Sequence, residues 1–133
     1  MKYSLTVLIT AALFAVSTLA LAASPVAPLS TPELKNAIAA NGRPTLVFFQ
    51  NPNGGPCKAQ KVVLDKLVEQ RKGKFNIANV STMNPNDQKA FYDYGVRSLP
   101  TLILVDKAGK ISRAFSPGIQ GLETISSALD GLK

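Results

Sequence analysis

The chain has 133 residues, 15 Lys or Arg against 8 Asp or Glu, a net charge of +7, no His, no Trp and one Cys. That length holds one domain of ordinary size, and a single thiol excludes an internal disulfide. With no histidine and one cysteine, no metal site with the usual ligand spacing can be drawn, and no cofactor is implied.

The first 23 residues read as a cleaved signal peptide. Lys2 supplies a positive start, residues 5–21 are apolar, and Ala20-Leu21-Ala22 offers the small-x-small pattern for cleavage after Ala22 or Ala23. The competing reading is an uncleaved anchor, since the apolar run approaches spanning length. No basic stop-transfer cluster follows, so the expectation is a secreted or periplasmic protein whose domain is residues 24–133, without stable membrane insertion after cleavage. Export places it where disulfides ordinarily form, yet its stability must come from a hydrophobic core.

The prolines of residues 23–29 suit an extended lead-in. Thr31 as N-cap, Pro32 in the first turn and Glu33 beside it predict a helix with Leu34, Ala37 and Ile38 on its apolar face, stopped by Asn41-Gly42. "PTLVFFQ", residues 44–50, is a continuous β-favouring run, as in a central strand covered on both faces. A loop follows at 51–55. From Pro56, Val62, Val63, Leu67 and Val68 recur at helical spacing to about Arg71. "KFNIANV" predicts a second strand and Asn84-Pro85 opens a third helix to about Tyr94. In that helix Tyr92 and Tyr94 read as core and rim packing. "PTLILVD" is another buried-type strand, residues 107–110 a hairpin turn, "ISRAFS" its partner, and residues 121–132 a closing helix.

Strands separated by helices imply a parallel pair, and the last two, joined by four residues, must be antiparallel. The expected architecture is α/β: a four-stranded mixed sheet with helices on both faces. The positive charge is dispersed along the sequence apart from Arg71-Lys72-Gly73-Lys74 at a helix end, where cations complement the helix dipole. Without a clustered patch or exposed stacking aromatics, a nucleic-acid partner is not expected. Attraction to anionic membrane surfaces or acidic partners stays open.

Two stretches, "PTLVFFQNPNGGPCKAQ" and "YGVRSLPTLILVDKAGK", resemble the thioredoxin family in sequence, order and context. The first is similar to the family's strand, active-site loop and helix, which typically carry Cys-Gly-Pro-Cys-Lys. The second is similar to the segment whose proline has a cis peptide bond and faces the active-site cysteine. The resemblance implies a thioredoxin-like fold and a thiol–disulfide oxidoreductase class. Gly55 and Pro56 then match the residues between the two family cysteines, Cys57 matches the second, resolving cysteine, and Leu99-Pro100 matches the substrate-binding segment. The first, attacking cysteine falls on Gly54. Other departures are Asn53 for the usual aromatic, Phe48 for the buried acid that assists proton transfer, and, in a looser alignment, Asn79 for that acid's lysine partner.

Disulfide exchange forms a mixed disulfide that a second thiol resolves. With Gly54 in the attacking position, the resolving step has no internal nucleophile, and dithiol turnover is not expected. Cys57 has the first turn of a helix and Lys58 in favour of a reactive thiolate, and the shielding of its family counterpart against it. The alternative function is a non-catalytic binding or chaperone-like module using the groove beside Pro100. Partners implied are exported proteins with thiols or disulfides, extended polypeptide segments, or a redox partner protein.

Overall fold

The computed structural model describes residues 24–132; the signal-peptide reading lies outside the described residues. Four strands, β1 (Thr45–Gln50), β2 (Asn76–Ser81), β3 (Thr101–Val105) and β4 (Ile111–Ala114), form one sheet in the order β2-β1-β3-β4. Four helices, α1 (Pro32–Ala37), α2 (Gly55–Gln70), α3 (Gln88–Asp93) and α4 (Leu122–Asp130), cover it.

The two central strands account for the layering. Every residue of β3, and all of β1 except Gln50, is buried, and successive side chains alternate between faces. Leu46, Phe48, Leu102 and Leu104 enter one apolar cluster with Leu64 and Leu67 of α2 and Ile125 of α4. Val47, Phe49, Ile103 and Val105 enter the other, with Leu34 of α1 and Ala90 of α3. Each large side chain buried this way contributes about 1.5–3 kcal/mol, so neither face can be left bare. The mixed sheet with helices on both sides is therefore as the residue pattern predicts.

β1 pairs with β2 in parallel and with β3 antiparallel, and β3 pairs with β4 antiparallel. The rule that a helix between strands implies a parallel pair thus holds for α2 but not for α3. The observed register decides it: Ser81 at the end of β2 is opposite Gln50, and Thr101 at the start of β3 is opposite Phe49. The chain leaves β2 and enters β3 at the same end of the sheet. The expected third helix is also broken in two: Asn84 caps a 3₁₀ turn at Pro85–Asp87 before α3 begins.

Capping matches the residues that signal it. Thr31 Oγ1 accepts from Leu34 N at 3.1 Å, and the end of α1 is pinned where Thr45 Oγ1 and Asn76 Nδ2 both donate to Ala37 O. The face of α2 differs from expectation. Cys57, Gln60, Leu64 and Leu67 are its buried residues, while Val62 and Val68 are exposed. The apolar residues Val62 to Leu64 and Leu67-Val68 spread over more than one side of the helix, and only one side meets the sheet.

β2 is an edge strand, and two of its outward N–H groups are answered by carboxylates. Asn79 N donates to Glu33 Oε1 at 2.9 Å and Ser81 N to Asp87 Oδ2 at 2.8 Å. Acidic side chains on an edge discourage pairing with another chain. The lead-in segment bridges to the other side of the sheet: Val26 pairs with Lys110, and Ile111 N donates to Pro25 O.

Tyr94 fastens that segment, its hydroxyl donating to Pro28 O at 2.7 Å while its ring packs on Phe49. Tyr92, expected to pack, is instead 87% exposed. Burial, with a contribution from the charge of Asp93, pushes the Tyr94 phenol from its ordinary value up to about 12. Between pH ~10 and ~12 the folded chain keeps a proton that the unfolded chain has released, so stability falls as pH rises through that window. Tyr94→Phe should be less stable at pH 7 by about 1 kcal/mol, through the lost hydrogen bond. The gap should narrow above pH ~10. Urea unfolding of both chains between pH 7 and 12 tests this, and parallel curves throughout would contradict it.

Candidate active site

The site lies where β1 ends and α2 begins. Asn51 organises the turn between them through three hydrogen bonds. Its carbonyl accepts from Gly54 N at 2.9 Å, its side-chain oxygen accepts from Asn53 N at 3.0 Å, and its own N–H donates to Cys57 Sγ at 3.4 Å. Gly54 is the N-cap of α2, its carbonyl accepting from Lys58 N at 3.0 Å, with no side-chain cap. Gly55 and Pro56 in the first turn are exposed.

Cys57 faces inward and is 3% exposed. It belongs to an apolar core cluster that includes Phe48. Asn79 stands apart on the outer strand, exposed, where its side-chain oxygen accepts from Gln50 Nε2 at 3.0 Å. Neither position supplies a proton carrier to the thiol.

Gly54 has φ −78° and ψ 133°, an extended conformation open to any L-residue. A Cβ built there would lie 3.3 Å from Asn51 O and 3.7 Å from Cys57 Sγ. The backbone therefore does not demand glycine, and a side chain at 54 would project beside the sulfur after a shift of a few tenths of an ångström.

The strand register brings the second predicted segment to the same end of the sheet. Phe49 is opposite Thr101, so Leu99 and Pro100 enter beside the exit of β1. The Leu99–Pro100 peptide bond is cis, Pro100 is buried, and Leu99 packs against both apolar clusters, including the one holding Cys57. Pro100 O accepts from Gly118 N at 3.0 Å, and Thr101 Oγ1 donates to Ser98 O at 2.6 Å. The backbone N–H and C=O of Leu99 have no hydrogen-bond partner among the described residues.

A third segment, residues 116–120, completes the site, and sequence reasoning does not place it there. It is held to Pro100 by Gly118 and to α2 by Gln60. The fully buried amide of Gln60 donates to Gln120 O at 3.1 Å and accepts from Gln120 N at 2.6 Å. The signal was the spacing 57, 60, 64, 67, a polar residue in the middle of a 3-4-3 apolar stripe. Among the described residues no group of His, Cys, Asp or Glu is arranged to hold a metal ion.

Residues 32–133 match the family model described as a thioredoxin-like domain. The chain is 34% identical over 87 residues to thioredoxin 1 of Nostoc sp., covering 65% of this chain and 78% of that one. It is 35% identical over 89 residues to the thioredoxin of Haemophilus influenzae, covering 66% and 79%. Among solved structures, a thioredoxin-like protein from Clostridium perfringens aligns with a TM-score of 0.63 at 25% identity, covering 68% of this chain and 71% of that one. Fasciola hepatica thioredoxin aligns with a TM-score of 0.59 at 22% identity, covering 69% and 83%. The fold and the loop before α2 thus define a thioredoxin-type scaffold with a single thiol. This chain belongs to the thioredoxin-like family.

Replacing Gln60 tests the third segment. Gln60→Ala should cost about 1–3 kcal/mol, because it leaves the Gln120 N–H and C=O without their partner. Amide exchange at Gly118 and Gln120 should speed up, while β2 keeps its protection. Equal denaturation midpoints and unchanged exchange would show that Gln60 does not hold the loop.

Proposed function

We propose that this is an exported thioredoxin-fold protein without dithiol turnover, which holds extended polypeptide in the groove between the 51–57 loop and Leu99-Pro100. The observation carrying this reading is the pair Gly54 and Cys57: an attacking position without a side chain, beside a cysteine that is 3% exposed and whose sulfur accepts a backbone hydrogen bond. A thiolate must reach a disulfide sulfur to form the mixed disulfide, and a second thiol must then displace the partner. Here the first step lacks an accessible sulfur and the second lacks a nucleophile.

Peptide binding needs neither. The unpaired N–H and C=O of Leu99 offer the two main-chain groups with which an extended segment pairs, and the buried Pro100 fixes their position. The 116–120 segment, tied back to Pro100, walls the other side. The family's usual substrates, protein thiols and disulfides, suggest that the partners are exported proteins carrying them.

Three measurements bear on this. A thiol reagent should modify Cys57 in native buffer about 100-fold more slowly than in denaturant, through opening of the fold; equal rates would favour thiol capture. Partners isolated by pull-down should survive Cys57→Ser. Gly54→Cys should introduce disulfide-reducing activity toward insulin with dithiothreitol as reductant, whereas Gly54→Ser, which fits the same backbone and caps α2, should not. Activity in the Ser variant, or in the unmodified chain, would sink the proposal.

A further inference from the structure

Cations dispersed along the sequence are gathered by the fold at the pole opposite Cys57. Thr45 is paired with Asn76 on one side and Val105 on the other, so the chain flanking all three strands meets at that end. Arg43, Arg71, Lys72, Lys74, Lys107 and Lys110 stand there, on three separate stretches. The Arg43 guanidinium lies over the 71–74 turn, 3.7 Å from where a Cβ on Gly73 would be.

Complementing the dipole of α2 accounts only for the cations of the 71–74 turn, since the others are on the lead-in to β1 and on the β3–β4 turn. Two of the carboxylates nearby, Asp130 and Asp106, are hydrogen-bonded. Asp130 bonds Arg71 at 2.8 Å, and its carboxyl is held below the ordinary range by that bond and by the charges of Arg71 and Lys74. Asp106 Oδ1 accepts from the backbone N–H of Ala108 and Lys110. Glu69 in the last turn of α2 is exposed, as are Lys72, Lys74, Lys107 and Lys110, and none of these four lysines has an ion pair among the described residues.

Between the cations opens a cavity of about 300 Å³ lined by Arg71, Lys74, Lys107 and one carboxylate, Asp106, over an apolar floor of Pro44, Phe75, Leu129 and Leu132. It has room for a phosphate and the carbons flanking it. The chain also enters the domain at this pole, since Pro25 O accepts from Ile111 N and Ala27 N donates to Gly109 O.

We propose that this pole is a docking face for an anionic phospholipid surface, with phosphates against the lysines and the Cys57 end turned toward solvent. A broad spread of cations on three stretches around an apolar floor fits a lipid headgroup layer better than one acidic peptide. The inference is independent of any thiol chemistry.

The test is co-sedimentation of the full chain with vesicles. Neutral phosphatidylcholine vesicles set the charge-independent binding, and vesicles with one third phosphatidylglycerol report the face. Binding should be stronger to the anionic vesicles, and the increment should vanish at high salt. Each cation withdrawn should lower that increment about fivefold, so K72A/K74A/K107A should lose on the order of 100-fold. K35A/K66A/K89A, with the same charge loss elsewhere, should lose far less. Equal binding to both vesicle types, or equal loss in the two triple variants, would overturn the proposal. So would polyglutamate or single-stranded nucleic acid binding through the three lysines while anionic vesicles do not.

Discussion

Burial of β1 and β3 on both faces is the constraint from which the rest follows. Leu46 and Phe48 must find cover on one side and Val47 and Phe49 on the other, so helices have to pack on both. α2 is the helix that continues directly from β1, and the turn that redirects the chain has only residues 51–54 in which to do it. Asn51 closes that turn with its carbonyl and side chain and meets Cys57 with its N–H. The position of the thiol is thus a consequence of sheet packing, reached through one asparagine.

The same geometry explains which parts were legible in the sequence. Strands buried on both faces are unbroken apolar runs, and "TLVFFQ" and "TLILV" show it without help from the rest of the chain. Thr31-Pro32-Glu33 marks its helix start because the cap is a local interaction. The placement of Cys57 at the start of a helix is legible from Pro56 in its first turn. What depends on distant partners is not. Val62 and Val68 carry the same apolarity as Leu64 and Leu67, and only the location of the sheet separates exposed from buried. Gln60 reads as a surface residue until Gln120, sixty positions away, supplies both its hydrogen bonds. The direction of β3 depends on its antiparallel pairing with β1, a strand separated from it in sequence by α2, β2 and α3.

Gly54 is a case in which conformation and chemistry part company. Glycine is commonly kept where φ is positive or space is closed. Gly54 has an ordinary extended backbone, and a Cβ there meets nothing worse than a 3.3 Å contact with Asn51 O. The fold therefore keeps the full shape of a thioredoxin-type loop, N-cap and helix entry included, while holding one thiol in an apolar cluster. Scaffold and redox chemistry are separable because strand register and turn hydrogen bonds set the loop, and neither uses a side chain at 54.

Separation also runs along the length of the domain. At one end of the sheet the apolar and main-chain groups of Leu99-Pro100 and the 51–57 loop gather with few charges. At the other, six cations share a pole with carboxylates already committed to Arg71 and to the Asp106 turn. Charge at an exposed pole costs the core nothing, since interactions across a domain are screened beyond about 10 Å at ordinary salt. The two ends can therefore carry different chemistry on one sheet, and a change at either should leave the other intact. A protein held by its cationic end would present the groove beside Pro100 outward, to whatever extended segment passes it.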